Sequence, residues 1–187
     1  MISREQGFVC LLLIFSLQCL AGCSTYNGDQ PTKRTPGSVI DDQFIESVGK
    51  REIRYEDPRF ASAHLNVVSM NGIVLLVGQV ESEEIKRIAQ ERMEAVSKVR
   101  SVHNGLTIGK PLSLMARSRD TWLTTKIKTK LVSSDRINSN RVKIVAEDGA
   151  IFLMGRITPE KADIAVEIAR NTAGVRKVVK VFEYLGN

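Results

Sequence analysis

The sequence predicts an α+β protein made of two consecutive α-β-β-α-β units, and three observations point that way. The segments His64–Val80 and Arg141–Ile157 align without a gap, placing Gly72 on Gly149 and Gly78 on Gly155. Each segment is a pair of β-rich runs joined by Asn71-Gly72 or Asp148-Gly149, dipeptides that accept the positive φ a two-residue hairpin turn requires. A helical spacing of apolar residues precedes and follows each hairpin.

In the first unit an amphipathic segment, Asp42 to Ile53, leads into the hairpin. Ser82-Glu83-Glu84 then reads as a helix start, a hydroxyl cap followed by acids in the first turn. Ile85, Ile88, Ala89, Arg92 and Val96 carry that helix, with Glu83–Arg87 available as an i,i+4 pair, and Val99-Arg100-Ser101-Val102 closes the unit as a strand. The second unit repeats this order. Asp120 to Val132 precedes its hairpin, and Thr158-Pro159-Glu160 opens the next helix with Pro159 at a tolerated position. Ala162, Ala165, Val166 and Ala169 give a close-packing face, and Val175-Arg176-Lys177-Val178 is the last strand. Because the third strand of each unit follows a helix, the expected sheet is mixed and three-stranded, with both helices on one face. Gly78 and Gly155, late in the second strands, suggest a bulge or close helix packing.

Ahead of these units the chain is of a different kind. Met1 to Gln6 is short and polar with Arg4, and Gly7 to Leu20 is an apolar run. That run is shorter than the roughly 20 residues needed to span a bilayer, so it reads as a secretion signal. It ends in Leu20-Ala21-Gly22-Cys23, which resembles the lipobox of bacterial lipoproteins, with Cys23 as the thiol that accepts acyl chains. Cys10 and Cys19 fall in the segment to be removed, so no disulfide is expected within the mature chain. The serine at position 24, where aspartate is the familiar inner-membrane retention signal, implies an outer-membrane destination facing the periplasm. The polar stretch after it, with Gly28, Pro31, Pro36 and Gly37, reads as a flexible tether. The expected organisation is a signal peptide at 1–22, lipidated N-terminus and tether at 23–40, first unit at 41–109, linker at 110–118 and second unit at 119–187.

Charge divides unevenly. Asp41–Thr107 holds nine Lys/Arg against eleven Asp/Glu, whereas Arg117–Asn187 holds fourteen against eight. A basic second unit outside the cytoplasm suits anionic phospholipid, acidic glycan or acidic protein, and makes nucleic acid a poor partner. On the Asp120–Val132 helix, about 100° per residue puts Leu123, Ile127 and Leu131 on one core stripe. The opposite side carries Trp122, Thr125, Lys126, Lys128, Thr129 and Val132. An exposed Trp beside Lys has the composition of a membrane-interface contact, the ring entering the headgroups while the cations meet phosphates. The alternative is that Trp122 folds over the core or packs against the first unit. Phe44 aligns with Trp122, but Glu46, Gly49 and Glu52 occupy that helix and the pairing is missing.

No nucleophile elbow, phosphate-cradling glycine loop or metal motif is found, and His64 and His103 lack ligand-spaced neighbours. Neither catalysis nor a cofactor is expected.

Two such units behind a lipobox resemble the tandem BON-domain outer-membrane lipoproteins. Asp120-Thr121-Trp122-Leu123-Thr124-Thr125-Lys126-Ile127 and Phe152-Leu153-Met154-Gly155 carry most of the likeness. The resemblance implies a non-enzymatic protein that binds anionic phospholipid such as phosphatidylglycerol or cardiolipin. It also implies support of the outer-membrane barrier, in association with division sites. A second class of partner is an outer-membrane assembly or cell-wall remodelling protein docked on the same face.

Overall fold

The computed structural model describes residues 35–185; Cys23, the apolar N-terminal run and most of the expected tether lie outside the described residues. Helix α1 (Pro36–Glu56) starts before Asp42 because Thr35 caps it, Oγ1 accepting from the Ser38 amide at 3.1 Å, and Pro36 sits where no N–H is needed. Residues 36–40, expected in the tether, are therefore helical. Strands β1 (His64–Met70) and β2 (Ile73–Val80) form the hairpin, and helix α2 (Glu83–Glu94) crosses over to β3 (Ser101–Ile108). The second unit has the same order: α3 (Leu114–Val132), β4 (Val142–Glu147), β5 (Ala150–Ile157), α4 (Pro159–Arg170) and β6 (Lys177–Tyr184). In each sheet the hairpin pair is antiparallel and the outer pair parallel, in the orders β1-β2-β3 and β4-β5-β6. The expected α+β class and mixed sheets are thus observed.

Both hairpin turns have two residues at positive φ, Asn71 and Gly72 at 54° and 75° and Asp148 and Gly149 at 49° and 70°. A buried aspartate on the preceding helix holds each turn. Asp42 accepts from the amides of Asn71 and Gly72 at 2.9 and 3.0 Å and from the Ser69 hydroxyl at 2.7 Å. Asp120 accepts from the amides of Asp148 and Gly149, both at 2.8 Å. The leading helix of each unit is thereby locked to its own hairpin.

Three expectations are corrected. Gly78 and Gly155 make room for neither a bulge nor a helix: a Cβ would strike the carbonyl oxygen of His64 at the start of β1, or that of Arg141 in the turn just before β4. Thr158 precedes α4 but its hydroxyl makes no cap bond, and Pro159 sets the helix start by its fixed φ. Glu83 pairs with Lys86 at 3.9 Å, leaving Arg87 to pair with Glu91 one turn further on; the ammonium three residues away is within reach of the helix start.

Each unit has its own core between helices and sheet. Ile45, Ile53, Val74, Leu76, Ile85 and Met93 are among the residues filling the first, and Leu123, Ile127, Leu131, Ile151, Leu153 and Ala165 among those filling the second. A third cluster joins the two sheets back to back. Val68, Met70, Leu75 and Val77 meet Val145, Phe152, Met154 and Val181. Arranged outward, the layers run helices, sheet, sheet, helices. A Cβ on Gly105 would come within 2.9 Å of the Phe152 ring, so a glycine in β3 admits the largest side chain of this inter-sheet layer.

Polar contacts rim the junction. Gln79 donates to Glu147 at 2.8 Å and accepts from the Leu112 amide at 3.0 Å. Lys143 reaches Glu46 at 2.9 Å, and Arg100 donates twice to Glu183 at 3.0 and 3.1 Å. A shift of one sheet against the other would break the buried Gln79–Glu147 bond and deprive a nearly covered carboxylate of that donor.

Candidate membrane-contact surface on the second unit

Helix α3 begins at Leu114, capped by Ser113, whose hydroxyl oxygen accepts from the Ala116 amide at 3.3 Å. Part of the expected linker at 110–118 is thus helical. The core stripe is as the spacing predicts: Leu123, Ile127 and Leu131 are buried, with Asp120 buried beside them at the hairpin turn. The far side is open. Trp122 is 56% exposed and Val132 63%, so the indole neither folds over the core nor packs against the first unit.

The side chains nominated from the sequence divide into distinct roles. Lys126 Nζ stands 4.3 Å from the Trp122 ring centroid, a cation–π distance that holds ring and charge together at the surface. Lys128 is different. Its ammonium donates to the Ser139 carbonyl at 2.6 Å, tying the helix to the turn before β4. Thr125 and Thr129 donate their hydroxyls to the carbonyls of Thr121 and Thr125, each at 3.0 Å. Hydroxyls satisfied inside the helix lose less on leaving water than unpaired ones would.

The extra turns at the start of α3 add residues that the shorter expected helix could not include. Leu114 and Met115 are 82% and 67% exposed. Met115, Arg119, Trp122 and Lys126 recur at intervals of four, three and four, one helical strip alternating apolar and cationic groups. An Arg119 guanidinium nitrogen lies 3.5 Å from the Met115 sulfur, repeating the arrangement of Lys126 on Trp122. The only carboxylate in α3 is Asp120, which is buried and occupied. The exposed side of the helix is consequently cationic without compensation on its own element. The signal available in the sequence was Ser113 as a hydroxyl cap ahead of Leu114 and Met115, which fall in helical phase with Arg119 and Trp122.

Chemically the strip can insert thioether and indole into an interfacial layer while guanidinium and ammonium meet phosphate oxygens. It has no group placed for bond making. Among the described residues no cluster of His, Cys, Asp and Glu could hold a metal, and no helix is long and apolar enough to cross a membrane. His64 lies 3.7 Å from Glu147 at the junction of the units, and His103 is exposed on β3.

The BON-domain family model matches residues 41–110 and again 119–186. Over 152 residues the chain is 38% identical to "Outer membrane lipoprotein DolP" of Haemophilus influenzae, covering 81% of this chain and 79% of that one. It is 34% identical to "21 kDa hemolysin" of Actinobacillus pleuropneumoniae, covering 81% and 78%. With "Osmotically-inducible protein Y" of Escherichia coli it shares 30% identity over 76% of its length and 72% of that protein's. The two matched stretches coincide with the two α-β-β-α-β units, and the chain belongs to the BON-domain family, of which it carries two copies in tandem.

Proposed function

We propose that this protein is a non-enzymatic outer-membrane lipoprotein, anchored through acylated Cys23 and facing the periplasm, whose second BON domain binds anionic phospholipid through α3. The observation that carries the reading is the exposed Met115-Arg119-Trp122-Lys126 strip, with Lys126 held 4.3 Å over the Trp122 ring. The lipobox-like Leu20-Ala21-Gly22-Cys23 and the name of the Haemophilus influenzae relative support the location. Anchor and strip act together by effective concentration: acyl chains keep α3 near headgroups, so a weak contact there suffices. Through that contact the protein supports outer-membrane integrity.

The distinction between the two lysines sharpens the site. Lys126 is the cation offered to lipid, whereas Lys128 is committed to Ser139. Flotation of the unacylated protein with phosphatidylglycerol or cardiolipin liposomes at low salt tests this. Binding should fall at least several-fold in Trp122→Ala and in Lys126→Glu, and should weaken steeply as salt is raised. Wild-type protein that ignores anionic liposomes at low salt would end the proposal. Loss of one co-purifying envelope protein in Trp122→Ala, with liposome binding intact, would instead favour a protein-docking role for the same face.

A further inference from the structure

Among the described residues the side-chain sulfurs belong to four methionines, and the fold treats one of them differently. Met93 packs against Gly49 in the first core, and Met70 and Met154 lie in the apolar layer between the sheets. These three are 0%, 4% and 0% exposed, whereas Met115 is 67% exposed in the first turn of α3. A thioether meets an oxidant only where solvent reaches it, so the buried three wait for the fold to open and Met115 does not. Its position matters as much as its exposure. Met115 heads the strip that continues through Arg119, Trp122 and Lys126, and an Arg119 guanidinium nitrogen stands 3.5 Å from its sulfur.

We propose that Met115 is a site of reversible oxidation to the sulfoxide by peroxides, and that the modification weakens the hold of α3 on lipid. The second half rests on the membrane reading of that helix. The sulfur lone pair attacks one peroxide oxygen, and an S–O bond forms as the O–O bond breaks. Sulfur is oxidised by two electrons and the peroxide is reduced. The departing hydroxide takes the proton left on the transferred oxygen and leaves as water. A thioether that enters the interfacial layer at small cost thus becomes a strongly polar group that does not. The new oxygen is also a far better acceptor than sulfur, and the Arg119 guanidinium beside it is a donor within reach. One oxygen atom thereby removes an apolar contact and occupies a cation otherwise offered to phosphate. Two thiols of a sulfoxide reductase reverse the step, forming a disulfide and water.

The test exposes the unacylated mature protein, carrying Cys23→Ser, to hydrogen peroxide. Peptide masses are followed beside flotation with phosphatidylglycerol liposomes. Met115 should gain one oxygen roughly tenfold faster or more than Met70, Met93 or Met154. Affinity for the liposomes should fall about threefold or more in step with Met115 oxidation, and a sulfoxide reductase with dithiothreitol should restore it. In Met115→Leu the quantity read is the ratio of its own affinities after and before peroxide, which should stay near one. Met115→Gln, polar without oxidation, should bind more weakly than Met115→Leu from the start. Equal oxidation rates at the four methionines, or flotation unchanged at complete Met115 oxidation, overturn the proposal, as does a parallel loss in Met115→Leu. Untreated protein that fails to float ends the α3 reading and this proposal with it. Untreated protein that floats, and floats equally after oxidation, ends this proposal alone.

Discussion

The carboxylate of Asp120 accepts from the amides of Asp148 and Gly149 at 2.8 Å each while only 6% of the residue is exposed. Both donors belong to a turn with φ positive at two successive residues, a conformation with few hydrogen-bond alternatives. Asp120→Ala should therefore destabilise the protein by about 2–4 kcal/mol, the loss of two charge-assisted bonds and of their buried partners' solvation. Asp120→Asn, which keeps an acceptor, should lose less. Urea unfolding of both variants measures it. The sequence places Asp120 at a helix start, where an acid has ordinary reasons to be; that its carboxylate reaches a turn 28 residues later depends on the docking of helix and hairpin. The same limit applies to Lys126 and Lys128, which a helical projection places on one open side. Only the approach of Ser139 separates a lysine offered to solvent from one already bound.

At the scale of the element, α3 combines two faces with separable roles. Its buried stripe includes Leu131 at 0% exposure, whereas Trp122 is 56% exposed. Leu131→Ala should cost about 2–5 kcal/mol by opening a cavity in the second core. Trp122→Ala should change stability by no more than about 0.5 kcal/mol. Chemical denaturation read beside liposome binding makes the contrast: one variant loses fold stability, the other loses the membrane. The existence and faces of α3 were legible from its spacing. Its start was not, because Ser113 acts as the cap only once the chain after β3 turns to present it, and Leu114 and Met115 then join the exposed side.

Across the whole molecule, the two BON domains are held by an apolar layer between their sheets and by ion pairs at its edge. The Arg100 guanidinium, hydrogen-bonding and close, holds the Glu183 carboxyl below its ordinary value of 4.5, and Arg156 adds to the effect. Glu183 in turn raises Arg100. A carboxyl depressed by folding contributes stability that is fully present above its unfolded value and lost as pH falls through its lowered folded value. The junction should hence be at full strength above about pH 4.5 and weaken below it. Thermal unfolding against pH checks this: the acid-side decline should be shallower in Glu183→Gln, which has no proton to gain there. A decline as steep as the wild type's would assign it to other carboxylates.

What the sequence determined by itself is the content of each unit. Periodicity, the Asn-Gly and Asp-Gly turns and the repeat are local in the chain, and local rules specify them: two α-β-β-α-β units, their core stripes, and the helix face bearing Trp122. The tertiary structure decided how the units meet. In β2 and β5 both faces carry apolar residues, Leu75 and Val77 beside Leu76, Phe152 and Met154 beside Leu153, so alternation could not tell a helix-facing side from a sheet-facing one. Hydrophobic burial is non-directional; which apolar face finds which partner is settled by the fit of Phe152 over Gly105 and by pairs such as Lys143–Glu46. Those contacts join residues far apart in the chain, beyond the reach of any local rule.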